Sequence, residues 1–344
     1  MNEKRTEIAS LGEFGLIKHL TEKFPLNHSS SIKGVGDDAA IIKYGNSKST
    51  VVTTDLLLEG IHFDLMYCPL KHLGYKSVVV NVSDIYAMNA TPRQITVSIG
   101  ISNRFSVEGL EEFYEGVKLA CKNYNVDLIG GDTTTSQKGF IISITAIGEV
   151  DENKLAYRNT AKEGDLLFVT GDLGAAFLGL QILEREKQIF LENAGVQVQL
   201  EEDQYLVERQ LKPEAQRDTI ALFEELDIVP TSMIDISDGL SSELMHICTQ
   251  SNVGCHIFEE QIPIFTETYD AALKLHMDPI TCAMNGGEDY ELLFTMNKTD
   301  AQKIYGRHGI KCIGEIKKAD YGYILESKAG MKHNFSAQGW NPLV

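Results

Sequence analysis

The sequence predicts an α+β protein in two domains. Three observations carry this. At 344 residues the chain is longer than one core comfortably organises. Strand-like and helix-like runs both occur, without the strict alternation of a doubly wound sheet. A fresh start at Gly164-Asp165 follows a strand pattern that ends near residue 150, so the division is placed at residues 1–150 and 151–344.

Residues 13–24 read as an opening helix, and Asn27 to Ser31 as a polar linker. The run Gly34-Val35-Gly36-Asp37-Asp38 leads into apolar Ala39–Ile42, and Thr50–Thr54 reads as a buried strand ending on Asp55. Lys71–Met88 contains three consecutive valines that favour strand. It is too long for one strand, and Asn81, Asp84 and Met88 share a face at helical spacing, so it is assigned as helix. Pro92 punctuates, and Gln94–Ile101 alternates as a strand. Val107–Asn123 is an amphipathic helix with Leu110, Phe113, Val117 and Ala120 on one side. Val126–Ile129 and Phe140–Val150 read as strands.

The second half begins with the strand Leu166–Thr170 and a turn at Gly171–Gly174 that opens a helix. A charged helical stretch over roughly 182–227 precedes a strand at Met233–Ile236, and Asp238-Gly239 starts a helix to Thr249. Further strands are expected near 253–258, 291–296, 311–316 and 321–326.

A net charge of -18 argues against nucleic acid and anionic membrane as partners, since no basic run reverses it locally. No apolar stretch approaches the roughly 20 residues that span a bilayer. The opening MNEKRTEIAS lacks the apolar segment of a secretory signal, so a cytoplasmic location is expected. The six cysteines form no C-x-x-C pair and read as reduced thiols.

Acidic residues are concentrated in five places: Asp37-Asp38, Thr53-Thr54-Asp55, Asp84, Gly130-Gly131-Asp132-Thr133-Thr134 and Asp235-Ile236-Ser237-Asp238-Gly239. Each lies beside a glycine or an apolar segment. Taken singly, each is better explained as a turn or a helix cap. Together they suit magnesium, which takes one or two carboxylates per ion and fills its octahedron with phosphate oxygens and water. The segment Gly34 to Ala39 also fits G-x-G-x-x-A, but no strand is expected before it and two aspartates would repel a pyrophosphate. The P-loop and the protein-kinase signatures are absent.

Three more residues have two readings each. His62 is either a packed histidine or a ligand-facing one. Glu288 follows Gly286-Gly287, which suits close approach to a ligand or simply a tight turn. Trp340, the single tryptophan, is either a plug for the tail or an aromatic platform for a flat or cationic ligand.

The ordered set GVGDDAAII, TTDLLLEGIHFDL, GYKSVVVNVSDIYAMNATP, DLIGGDTT, AYRNTAKEGD, DISDGLSSEL and GGEDYELLFT resembles the thiamine-monophosphate kinases, a family of the aminoimidazole ribonucleotide synthetase-like superfamily. The resemblance implies an N-terminal mixed-sheet domain that pairs in a homodimer, and a C-terminal α/β sandwich domain that completes a nucleotide cleft. It implies metal ligands at Asp38, Thr53, Thr54, Asp55, Asp84, Asp132, Asp235 and Asp238. It implies ATP contacts from Tyr114, Gly131, Asp132, Arg158 and Ser237, and substrate contacts from His62, Glu288 and Trp340.

The implied reaction is magnesium-assisted, in-line transfer of a phosphoryl group from ATP to thiamine phosphate. The acceptor is a phosphate monoester with a second pKa of about 6, so it is largely anionic at neutral pH and needs no general base. Two alternatives stand beside it. One is another ATP-dependent synthetase of the superfamily, and the other is a non-catalytic nucleotide-binding regulator.

Overall fold

The computed structural model describes residues 12–21, 26–45, 47–193, 200–307 and 309–337. After helix α1 (Gly12–Thr21), the first half forms a six-stranded mixed sheet. Its strands are β1 (Ser31–Lys33), β2 (Ala40–Ile42), β3 (Lys48–Leu58), β4 (Thr91–Ile101), β5 (Asp127–Thr135) and β6 (Ile141–Asp151), in the order β1-β2-β3-β6-β4-β5. The central pair, β3 and β6, is antiparallel and in unbroken register from Lys48↔Asp151 to Leu58↔Ile141. That register carries β3 past Asp55, which lies inside the strand and not at its end as expected. Pro92, expected as a break, lies within β4 where the register with β6 shifts, a position that tolerates a missing amide N–H.

Two helices cover one face of this sheet, α2 (Leu70–Ala87) and α3 (Val107–Tyr124). The helical assignment of the valine run is correct. Its ambiguity has a physical cause: α2 is enclosed on almost every side, with Val78, Val79, Val80 and Val82 all buried, so it shows no clean amphipathic period. The helices approach unusually closely at two glycines. A Cβ on Gly74 would lie 2.0 Å from the Phe113 carbonyl oxygen, and one on Gly116 would lie 1.9 Å from that of Lys71. Helix α3 buries Phe113, Val117 and Ala120 as expected, is capped by the Ser106 hydroxyl, and ends on Asn125 in the left-handed conformation.

The glycine-rich segment at 130–134 departs from the expected loop. It forms most of β5, an edge strand parallel to β4 whose nine residues are all exposed.

The second half builds a seven-stranded sheet from β7 (Leu166–Thr170), β8 (Ser232–Asp235), β9 (Val253–Phe258), β10 (Leu292–Met296), β11 (Ile310–Lys318), β12 (Tyr323–Glu326) and β13 (Lys332–Asn334). The order is β13-β12-β9-β11-β7-β10-β8. Its central strands are apolar on both faces: Leu167 and Val169 enter one core, Phe168 and Phe294 another. Helices α4 (Ala175–Glu192), α5 (Gln204–Leu211), α6 (Arg217–Glu225), α7 (Leu240–Ser251), α8 (Thr266–Lys274), α9 (Pro279–Asn285) and α10 (Lys298–Ile304) complete this unit. Among the described residues, the expected helical stretch over 182–227 is divided among α4, α5 and α6. One break falls after Leu211, where Pro213 offers no amide N–H to continue the ladder. The edge strand β8 packs against α2, and this joins the two units at the site.

Candidate functional site

Strand parity sorts the residues of β3. Successive side chains face opposite ways, so Thr53 and Asp55 point toward α2 while Thr54 points to the outer face. The Thr53 hydroxyl donates to Asp84 Oδ2 at 2.5 Å, and the Asp55 amide donates to Asn81 Oδ1 at 3.1 Å. The Thr54 hydroxyl is engaged elsewhere, donating to the Ile144 carbonyl at 3.0 Å. From the second unit, Asp235 ends β8 and accepts the Ser83 hydroxyl of α2 at 2.5 Å. Asp38 arrives on the glycine-rich bend before β2, where Gly36 has φ +118°.

Carboxylate oxygens of Asp38, Asp84 and Asp235 all lie within 4.8 Å of one another. Three elements distant in sequence thus converge on one point. Burial raises the Asp38 pKa to about 8, assisted by Asp235 and Asp37 and opposed by Arg158. Burial and Asp235 raise Asp55 to about 7. Asp84 is pushed well up by burial and by repulsion from Asp55, Asp235 and Asp38. Asp235 is raised by burial, with the Ser83 hydrogen bond and Arg158 opposing. Asp38 Oδ2 is buried without a hydrogen-bond partner. Repelling carboxylates with an unsatisfied oxygen among them form a donor set that fits a divalent cation with oxygen ligands.

Arg158, on the segment joining the two sheets, reaches this cluster. Its Nη2 donates to Asp38 Oδ1 at 2.5 Å and its Nε lies 3.3 Å from Asp37 Oδ1. Ser237 and Asp238 follow β8. The Asp238 amide donates to Glu243 Oε1 at 2.9 Å, and the Ser237 hydroxyl lies 3.5 Å from the same oxygen.

The remaining expected residues lie further out. Asp132 is exposed on β5, outside the three-carboxylate cluster, with its Oδ1 accepting the neighbouring Thr133 amide. Gly131, with φ +154°, is required by space: a Cβ there would sit 1.8 Å from the Val97 carbonyl oxygen. Tyr114 lies on α3, edge-on to Phe113 at 5.5 Å. His62 Nδ1 accepts the Leu58 amide at 3.0 Å, and burial lowers its pKa. Glu288 accepts a hydrogen bond from Lys76. Trp340 lies outside the described residues.

Three acidic side chains and one lysine outside the expected site residues have definite partners. Asp289 is fully buried and accepts the Gly174 and Ala176 amides, which caps α4. Glu291 accepts from Thr170, Arg209 and Gln216. Glu243 is buried in the first turn of α7, and its spacing after Asp238-Gly239 is the signal that could have marked it. Lys76 stands inside the buried run of α2, where an ammonium needs a partner.

Comparison with known proteins agrees with this architecture. The family description "AIR synthase related protein, N-terminal domain" matches residues 36–150, and "AIR synthase related protein, C-terminal domain" matches residues 162–325. The thiamine-monophosphate kinase of Buchnera aphidicola subsp. Schizaphis graminum is 36% identical, covering 93% of this chain and 98% of that protein. The thiamine-monophosphate kinase of Bacillus subtilis is 33% identical, covering 84% of this chain and 85% of its own length. The solved structure of AaThiL complexed with AMPPCP and TMP superposes with a TM-score of 0.82 at 30% identity, covering 98% of this chain and 99% of that one. With the fold, both domain matches and full-length relatives in agreement, the chain belongs to the thiamine-monophosphate kinase family of AIR synthase related proteins.

Proposed function

We infer that the chain transfers the γ-phosphoryl group of ATP to thiamine phosphate, giving thiamine diphosphate and ADP. The observation that carries this is the convergence of Asp38, Asp84 and Asp235 where the two sheets meet. The AMPPCP and TMP complex of AaThiL supports the pair of ligands. Residues 1–150 supply most of the acidic site, and residues 151–344 close it with Asp235, Ser237 and Asp238.

Asp38, Asp84 and Asp235 would hold magnesium, with Asp55, Thr53 and Asp238 beside them. Asp132 and Thr54 stay in the proposed ligand set on family membership. Bound magnesium supplies charge neutralisation on the reacting phosphates and a fixed geometry for in-line attack. The chain's own residues orient the reactants. Arg158 brings a guanidinium whose planar fork suits phosphate oxygens. Ser237, Gly131 and Tyr114 are the proposed nucleotide contacts. His62 and Glu288 face the acceptor, with Trp340 assigned to the same role. No side chain must remove a proton, because the acceptor's second pKa is about 6. His62 fits that economy, since its Nδ1 is occupied by the Leu58 amide.

A homodimer paired through the N-terminal sheets is supported by the sheet's outer face. From Thr50 to Leu56 on β3 and from Ile141 to Ile147 on β6, the outward side chains carry no charge. One strand further on, beyond β4, β5 is a long exposed edge with Leu128 and Ile129 in it, the kind of surface that single chains normally cover. Among the described residues no helix is long and apolar enough to cross a membrane, and we place the enzyme in the cytoplasm.

The test is ADP release from ATP with thiamine phosphate, unphosphorylated thiamine or an aminoimidazole precursor, each with and without magnesium. Turnover confined to thiamine phosphate with magnesium is expected. Equal turnover with the other acceptors would move the chain to a synthetase of the superfamily, and none with any acceptor would favour a nucleotide-binding regulator.

A further inference from the structure

Lys76 is 3% exposed in the middle of α2. A buried ammonium is stable only when its donors are met. Here two of its three are met across the junction of the two units. Nζ donates to the Gln210 carbonyl at 2.9 Å and to Glu288 Oε2 at 3.1 Å. The Gln210 side chain, also buried, donates from Nε2 to that same Oε2 at 2.6 Å. Both donors therefore converge on one carboxylate oxygen. The other, Oε1, receives no hydrogen bond among the described residues, and the side chain remains 27% exposed.

The backbone beneath Glu288 is equally constrained. Its φ is +65°, a conformation that costs a non-glycine residue on the order of 1 kcal/mol and persists where the surroundings enforce it. Its amide donates to the Ser237 carbonyl at 2.7 Å. A Cβ on the preceding Gly287 would lie 2.4 Å from that carbonyl oxygen, so the loop presses against the strand end that carries Ser237. His62, Tyr67, Cys68, Lys76, Gln210 and Leu211 enclose a small cavity beside these groups.

We propose that Lys76 and Gln210 are positioning residues for the acceptor, anchoring Oε2 of Glu288 so that Oε1 is presented to the cationic ring of thiamine phosphate. This rests on thiamine phosphate being the acceptor. Because Lys76 belongs to the first unit and Gln210 and Glu288 to the second, the lysine's hold on the carboxylate exists only while the two units are docked. Recognition of the organic cation is thereby tied to assembly of the phosphate site, which uses the same junction.

The experiment is steady-state kinetics on the full chain with Lys76→Met, Lys76→Arg and Gln210→Leu. Loss of either donor should raise KM for thiamine phosphate about tenfold, the scale of one charge-assisted hydrogen bond, and leave KM for ATP within about twofold. Lys76→Arg, which can still donate, should recover part of the loss. If Lys76→Met does not fold, Gln210→Leu decides, since it keeps the main-chain carbonyl that Lys76 also uses. A thiamine phosphate KM that stays unchanged or falls in the variants, against an active wild type, overturns the proposal; a fall would make Lys76 a mere counter-charge to the substrate cation. Parallel rises in both KM values would mark a structural role and overturn it too. A wild type that leaves thiamine phosphate untouched overturns the substrate assignment, and this inference with it.

Discussion

Arg158 Nη2 lies 2.5 Å from Asp38 Oδ1, which places the guanidinium of the inter-sheet segment against the bend that brings Asp38 to the carboxylate cluster. Both side chains are nearly buried, at 11% and 4% exposure. The arginine is therefore the protein's own counter-charge to an acidic site.

Replacing Arg158 by Met should leave Asp37 and Asp38 without that charge. Breaking a buried pair by removing one partner costs about 3–5 kcal/mol, reduced here because Asp38 can take up a proton. The metal-free variant should melt several degrees lower than the wild type, and added magnesium should raise its melting temperature by more than it raises the wild type's. Calorimetry with chelator and with magnesium checks both. An equal magnesium effect in the two proteins would remove Arg158 from the cluster's charge balance.

Stability should also depend on pH in a direction set by the buried carboxylates. Asp38 and Asp55, at about 8 and about 7, bind protons in the folded state that the unfolded chain has already released above its ordinary value of 3.8. Their contribution therefore declines as pH rises from about 4 to about 8. His246 opposes this, because burial lowers it to about 4 and an unfolded histidine at 6.5 holds the extra proton between those values. Above pH 6.5 the histidine no longer contributes. The metal-free protein should lose melting temperature between pH 6.5 and 8, and magnesium should flatten that slope. A metal-free melting temperature that climbs across this window contradicts the assignment.

Asp84→Asn removes one charge from the cluster and keeps an acceptor for the Thr53 hydroxyl. The variant should be at least as thermally stable as the wild type without metal, since repulsion is relieved. It should lose most of its turnover and most of its stabilisation by magnesium. Near-normal activity would exclude Asp84 from the metal site.

Light scattering should give about twice 38.2 kDa for the wild type, in line with closed two-fold pairing. Leu56→Glu, at a position 53% exposed on the outer sheet face, should shift the protein toward the single-chain mass. A wild-type monomer would rule out the sheet-paired assembly.

The sequence carried much of this architecture because its periodicities were undisturbed. The stripe of Phe113, Val117 and Ala120 on α3 could be read directly, as could the alternation that became β6. The order of the acidic motifs along the chain points to the site. What stayed hidden has physical reasons. Residues 130–134 are glycine, aspartate and threonine on an exposed edge, with no buried face to impose alternation, so the sequence pattern marks a strand only as far as Ile129. Thr53 and Thr54 were grouped by adjacency although a strand must turn them to opposite faces. Asp289 and Glu291 look like site acids in sequence, yet one caps α4 and the other balances Arg209. Lys76 was invisible because its partners, Gln210 and Glu288, are more than a hundred residues away.

The tight seating of α2 on α3 at Gly74 and Gly116 has a consequence for substrate choice. Lys76 and Asp84 ride on that one helix, eight residues apart, which is about 12 Å along its axis. Neither glycine leaves room for the helix to slide without backbone collision. On the proposed roles of Lys76 and Asp84 the helix would act as a fixed caliper, one jaw at its middle orienting Glu288 and the other in its last turn gathering phosphate. An acceptor is measured by the length between its cationic ring and its phosphate as much as by either group alone. Esters with a shorter or longer tether would engage one jaw and miss the other.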